Sequence, residues 1–208
     1  MTLYNQFILT RTKPFNQENT ETDTQWDYTV DGNNLVLRFD ETRSKRDWLD
    51  NFDFLRVPYR NMKPRFRVHR GFLRKYKSIR SEIHAVITDN NIQRVQIYGF
   101  SQGGALATLA HEDIWFHFEN LREGAENLTT YVFGSPRVVS WFAPAQRWHH
   151  LFRIENGNDP VTKIPFPFFG YKHVGTPLHF GHQKRWFLFR VNDHYPNSYS
   201  DSLKNSNT

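Results

Sequence analysis

A serine hydroxyl is a weak nucleophile until a base takes its proton, so a serine matters only where its surroundings expose and activate it. Ser101 lies in Gly99-Phe100-Ser101-Gln102-Gly103, a G-x-S-x-G arrangement. The flanking glycines permit a tight turn that holds the middle residue in strained geometry with its hydroxyl outward. A β-rich run, Val95-Gln96-Ile97-Tyr98, precedes the turn, and Gly104-Ala105-Leu106-Ala107 opens a helix able to pack close to a sheet. The N-terminus of that helix favours negative charge developing beside it. Five residues alone would fit a chance glycine turn; with strand before and helix after, they predict a nucleophile.

A base and an orienting acid must follow, in the chain order Ser, Asp, His for this kind of turn. Asp159, in Asn156-Gly157-Asn158-Asp159-Pro160, comes just past the run Leu151 to Ile154, where a sheet presents residues at its C-terminal edge. Glu155 is its rival. The favoured base is His194, in Asp193-His194-Tyr195, late in the chain and followed by turn residues. The chain has 10 histidines, so position alone discriminates weakly. His173, His179 and His182 are close enough in sequence to suggest a metal. In a strand-rich segment they would face different sides, so structural roles are expected for them, as for His149 and His150. No metal site is predicted.

These side chains need a scaffold to converge. The 208 residues suit one domain with a sizeable core. Leu35 to Phe39, Val95 to Tyr98, Tyr131 to Phe133 and Leu151 to Ile154 read as strands. Phe72, Tyr76, Ile79, Ile83 and Val86 recur at steps of three and four, so Gly71 to Asp89 reads as an amphipathic helix. A second helix is predicted from Gly103 to Phe118, and a helical stretch near Trp141 to Trp148. The alternation implies an α/β fold with a mostly parallel sheet flanked by helices. Residues 1–25 read as an N-terminal arm, 26–197 as the domain, and 198–208 as a flexible tail.

Composition narrows the chemistry. There are no cysteines, which excludes disulfides, thiol catalysis and zinc-thiolate sites. Aromatics reach 16%, enough to predict a core or binding face built from flat rings. Arg56 to Arg80 carries ten Lys/Arg and no Asp/Glu, whereas Asn16 to Asp53 carries ten acidic residues. Such a basic band meets nucleic acid, an anionic membrane or merely solvent. Met1 to Lys13 has only a brief apolar stretch around Phe7-Ile8-Leu9, and no stretch is long enough to span a bilayer. The expectation is a protein that is cytoplasmic as made, with release, if any, by a non-classical route.

Six blocks in order then resemble the class 3 lipase family, whose fungal triacylglycerol lipases are its best-known members. Phe39 to Trp48 is similar to the oxyanion and lid segment, and Val68-His69-Arg70-Gly71-Phe72 to the V-H-x-G-F helix start. Gly99 to Ala105 is similar to the nucleophile elbow, and Phe133-Gly134-Ser135-Pro136-Arg137-Val138 to the F-G-x-P-R-V strand end. Asn156 to Val161 and Asp193-His194 are similar to the segments carrying the acid and the base. The resemblance implies an α/β-hydrolase, a triad of Ser101, Asp159 and His194, and an oxyanion held by the N–H groups of Thr42 and Gln102 with help from the Thr42 hydroxyl. It implies neither metal nor organic cofactor. Asp40-Glu41 departs from the family's Arg-Gly, setting two carboxylates beside a site that must stabilise an anion. Phe100, Gln102 and Val139 stand where His, Leu and Gly are usual.

The leading reading is a carboxylic ester hydrolase, a lipase or phospholipase working through an acyl-enzyme. A non-lipid esterase on short or aromatic acyl esters is the alternative. A binder of nucleic acid or phosphate-rich surfaces is a third reading, which no nucleic-acid motif supports. Trp48, Leu49, Phe52 and Leu55 fall at helical steps, an apolar stripe opposed by Lys45, Arg46, Asp47 and Asp50. That stripe reads either as a mobile cover docking on an anionic membrane surface or as a fixed helix packed on the core.

Overall fold

Alternating side chains in the β-rich runs build a sheet buried on both faces. A computed structural model describes residues 1–41, 54–59, 66–124, 126–182 and 189–206. In chain order these form α1 (Leu3–Arg11), β1 (Gln17–Asn19), β2 (Thr24–Asp31), β3 (Asn34–Phe39), β4 (Arg56–Tyr59), β5 (Phe66–His69) and α2 (Arg70–Asp89). There follow β6 (Arg94–Phe100), α3 (Gln102–His117), α4 (Glu119–Glu123), β7 (Leu128–Phe133) and β8 (Val139–Ser140). The last elements are β9 (Leu151–Asn156), β10 (Tyr171–Lys172), β11 (Thr176–Phe180) and α5 (Pro196–Asn205). The main sheet runs β1-β2-β3-β6-β7-β9-β11, antiparallel as far as β3 and parallel from there to β11. A smaller antiparallel sheet runs β10-β8-β5-β4. The mostly parallel sheet flanked by helices, in one domain, is the architecture the sequence implied.

Period-two patterning explains the layers. Leu35, Leu37 and Phe39 of β3 and Val95 and Ile97 of β6 face a core shared with α2 and α3. Phe100, Phe133 and Ile154 point to the other face, where Phe7 of α1 and Tyr199 and Leu203 of α5 close a second core. On β6, β7 and β9, Tyr98, Tyr131 and Phe152 are paired in register, their rings stacked at 5.7 and 5.2 Å. Such cross-strand aromatic pairs stiffen the sheet centre. Helix α2 starts where the His69 side chain accepts the Phe72 N–H at 3.4 Å. It buries Phe72, Tyr76, Ile79 and Ile83 as expected, with Val86 partly buried against the same core and Ile87 buried beside it.

Three expectations are corrected. Residues 1–25 are no loose arm: α1 packs with Phe7 only 1% exposed, and β1 and β2 extend the main sheet. The tail from 198 lies largely in α5, whose first turn begins at Pro196 and which buries Tyr199 and Leu203 four residues apart. Trp141 to Trp148 yields only a 3₁₀ turn, Ala145–Trp148, entered at Pro144, whose ring cannot continue a helix from the preceding residues.

Candidate active site

The turn from β6 to α3 puts Ser101 at φ 55°, ψ −122°. A non-glycine residue in that region is held there by its surroundings. Here the Ser101 N–H donates to Phe133 O at 2.9 Å, and its carbonyl accepts the Gly104 N–H at 3.0 Å. The turn also needs bare backbone, since a Cβ on Gly103 would lie 2.3 Å from Phe39 O. The first turn of α3 is thereby seated directly on the end of β3.

His194 closes a 3₁₀ turn, Val191–His194, just before α5. Its Nε2 lies 3.0 Å from Ser101 Oγ and its Nδ1 2.9 Å from Asp159 Oδ2. Beneath it the Phe100 ring stacks at 5.0 Å with an interplanar angle of 18°. The turn is anchored to the strand end after β9. Asn156 Nδ2 donates to Asp193 O (2.9 Å), and the Asn158 N–H donates to Asp193 Oδ2 (2.8 Å).

Asp159 is 1% exposed and receives three donors. The Val161 N–H reaches Oδ1 at 2.8 Å, and Oδ2 takes both His194 Nδ1 and the Tyr199 hydroxyl, the latter at 2.6 Å. Burial, then the adjacent Asp159 carboxylate, push the Tyr199 phenol well above its ordinary pKa, so it stays a donor. Gly134, at φ 57°, passes close by: a Cβ there would stand 3.0 Å from Asp159 Oδ2 and 3.1 Å from His194 Cε1. A serine, an imidazole and a buried carboxylate thus join in series, an arrangement able to move the serine proton to Nε2 while the carboxylate fixes the tautomer.

The rival acid Glu155 is engaged elsewhere. Its oxygens meet Arg153 Nε at 2.8 Å and Lys163 Nζ at 2.9 Å. Burial acts to raise its pKa, but His173, Arg153 and Lys163 outweigh that and bring it to about 2. His173 bonds to Thr162 O at 2.6 Å; burial and then Arg153 lower it to about 3, a buried neutral imidazole. His179 is 3.7 Å from Glu155, and His182 is exposed. Among the described residues, metal-ligand spacing occurs instead at His84, Asp113 and His117. There Arg80 already supplies the cation, with Nε 3.0 Å from the Asp113 carboxylate and Nη2 2.9 Å from His117 Nε2.

Gln102 is the first residue of α3, where a helix leaves its N–H groups without intrahelical partners. Thr42, Trp48, Leu49 and Phe52 lie outside the described residues, and Leu55 is 57% exposed. Sequence reasoning missed Tyr199, assigned to the tail, although Pro196 at a helix start and the Tyr199/Leu203 spacing were available signals. It also missed Asn156 and Asp193 as anchors of the base. Beyond the triad, Phe54 stacks on Phe169 at 5.2 Å, Phe168 lies 4.5 Å from Phe169, and Phe166 bridges Phe168 and Phe189. Phe168 is 77% exposed and Phe142 80%, and Phe189, Val191 and Tyr195, flanking His194, are exposed too.

The class 3 lipase family model matches residues 36–169. The chain is 31% identical over 136 residues to the secreted mono- and diacylglycerol lipase 1 of Fusarium solani, covering 62% of this chain and 38% of that protein. It is 30% identical over 167 residues to the secreted mono- and diacylglycerol lipase A of Penicillium cyclopium, covering 76% of this chain and 52% of that one. The chain therefore spans about half the length of these relatives or less. A solved Rhizomucor miehei lipase–propeptide complex superposes with a TM-score of 0.71 at 23% identity, over 86% of this chain and 67% of that chain, and establishes the α/β-hydrolase fold. No helix among the described residues is long and apolar enough to cross a membrane. The expectation of a protein that is cytoplasmic as made is overturned, since the relatives are named as secreted. Matched over most of its sheet and around the serine turn, the chain belongs to the class 3 lipase family.

Proposed function

We propose that the protein hydrolyses carboxylic esters of glycerolipids through Ser101, His194 and Asp159. The observation that carries the reading is the hydrogen-bonded series at the strained β6–α3 turn. His194 Nε2 takes the Ser101 proton as Oγ attacks the ester carbonyl, and Asp159 keeps the imidazole in the tautomer that accepts it. The Gln102 N–H, at the positive end of α3, holds the developing oxyanion, with Thr42 as the second donor implied by the family pattern. His194 then protonates the departing alcohol, and water, activated by the same base, clears the acyl-enzyme. No step needs a cofactor.

Two observations favour lipid. The relatives are named as mono- and diacylglycerol lipases, which disfavours a purely non-lipid esterase. The exposed rings of Phe168 and Phe189, both in contact with Phe166, form an apolar cluster of the kind that marks a partner or an interface. Of the basic band, Arg56, Lys75 and Arg80 are spent on internal contacts, while Arg67, Arg74 and Lys77 present exposed side chains that suit an anionic lipid surface.

The test is active-site labelling with a fluorophosphonate and turnover of esters of rising acyl length, below and above their aggregation point. Wild type is expected to label, Ser101→Ala to stay unlabelled, and turnover to rise as the substrate aggregates. Labelling that persists in Ser101→Ala sinks the nucleophile assignment.

A further inference from the structure

The departure at Asp40-Glu41 has a counterpart at the other end of the domain's first helix. Both carboxylates sit at the end of β3, the strand end that touches the first turn of α3: a Cβ on Gly103 would be 2.9 Å from Asp40 O. Asp40, with its side chain 3% exposed, accepts the Glu41 N–H at Oδ1 (2.8 Å) and pairs with Lys13 Nζ at Oδ2. Glu41 Oε1 meets Arg11 Nη2 at 2.9 Å. The two cations come from the last turn of α1 and the segment just after it. The Arg11 guanidinium also lies 5.4 Å from the centroid of Phe100, the ring stacked on His194. Helix α1 is pinned in place by Phe7, which packs edge-on against Phe100 (5.7 Å) and Phe133 (5.3 Å) and stacks on Tyr199 (5.8 Å).

Ester attack puts a full negative charge on an oxygen beside Ser101, to be held by backbone donors at the start of α3. Two carboxylates on the neighbouring strand end oppose that charge, and desolvation strengthens the opposition. We propose that Arg11 and Lys13 are positioning residues for this reaction. They cancel the charge of Asp40 and Glu41 so that the oxyanion forms in a neutral rather than an anionic surrounding. The single cation implied at the strand end by the family's Arg-Gly pattern has its counterpart here in Arg11, the last residue of α1, and Lys13 just after it. The inference rests on the hydrolase reading above.

The experiment compares wild type, Arg11→Met/Lys13→Met, Asp40→Asn/Glu41→Gln, and the variant with all four changes, on a soluble short-chain p-nitrophenyl ester. The double-Met variant is expected to lose kcat by at least about tenfold with KM within about twofold, the pattern of an interaction felt in the transition state. The fourfold variant, equally lacking both ion pairs, is expected to recover to within about threefold of wild type, because the opposing charges are gone. Asp40→Asn/Glu41→Gln alone is expected to keep at least wild-type kcat. This variant decides the matter should the double-Met protein fail to fold: a loss of tenfold or more there overturns the proposal. An unchanged kcat in a folded double-Met variant, or no recovery in the fourfold one, overturns it as well. A wild type that neither turns over the ester nor labels with fluorophosphonate overturns the hydrolase reading itself, and the proposal with it.

Discussion

Replacing Tyr199 by Phe removes one oxygen and keeps the ring that packs on Phe7 and Phe100. That oxygen does two things: it donates to Asp159 Oδ2 at 2.6 Å and accepts the Asn156 N–H at 3.2 Å. A hydrogen bond to a charged group contributes about 1.5–3 kcal/mol, and a buried N–H left without an acceptor costs about 1–3 kcal/mol. Both losses pass through one hydroxyl and do not simply add, so we expect a total near 3 kcal/mol. In a domain of this size that lowers Tm by about 6–12 °C. Activity should suffer less. The Val161 N–H and His194 Nδ1 still hold Asp159, so kcat should fall by no more than about tenfold, against several orders of magnitude for Asp159→Ala. Thermal melts and turnover of a soluble ester, run on both variants, check this. A Tyr199→Phe protein with unchanged Tm, or one as inactive as Asp159→Ala, refutes the account of Asp159 as a carboxylate shared among three donors.

Gly103→Ala should abolish soluble expression or activity, because its Cβ would sit 2.3 Å from Phe39 O, backbone that cannot move without breaking β3 from the turn. Measurable activity near the wild-type level would show that the turn has slack. Stability should also fall on the acid side. His111 is lowered to about 3 by burial and then His150, and His173 to about 3 by burial and then Arg153, so below pH 6.5 the unfolded chain takes up protons the folded one refuses. Each histidine then withdraws about 1.4 kcal/mol per pH unit between about 6.5 and 3, and Glu155, at about 2, adds its own loss as pH falls through about 4.5. Urea melts at pH 7.5, 6 and 5 test the slope, and a flat profile would contradict the neutral burial of these two imidazoles.

What the sequence discloses here is whatever is local. The Leu35/Leu37/Phe39 alternation and the three-and-four spacing in α2 are short-range patterns, and they marked β3 and the helix well. The turn around Ser101 is legible as a local five-residue pattern, although what requires glycine at 103 is the distant backbone of Phe39. Asp159 and His194 were found from their places after a strand and near the end of the chain, and they meet with Ser101 in one site. Tyr199 escaped because its importance depends on the sheet bringing residue 199 to residue 159, which no neighbouring residue announces. The same reason hid the cations. Nothing around Asp40-Glu41 in sequence says that α1 will fold back across β3 to meet them. Trp141 to Trp148 misled for the opposite reason, since the expected helical stretch ran through a proline, Pro144, that its own local sequence displayed.

Phe7 and Tyr199 stack at 5.8 Å although 192 positions of chain separate them, and the hydroxyl of the second supports the acid that orients the base. Ser101 is therefore only an ordinary alcohol in any partly assembled chain. The elbow, its sheet and α3 can all be in place while Phe100, the floor of the imidazole, still lacks the backing of Phe7 and Tyr199, and Asp159 the Tyr199 hydroxyl. On the proposed reading, the power to cleave esters would belong to the closed circuit of the whole domain rather than to its central layer, arising with the long-range contacts that cost most loop entropy to form.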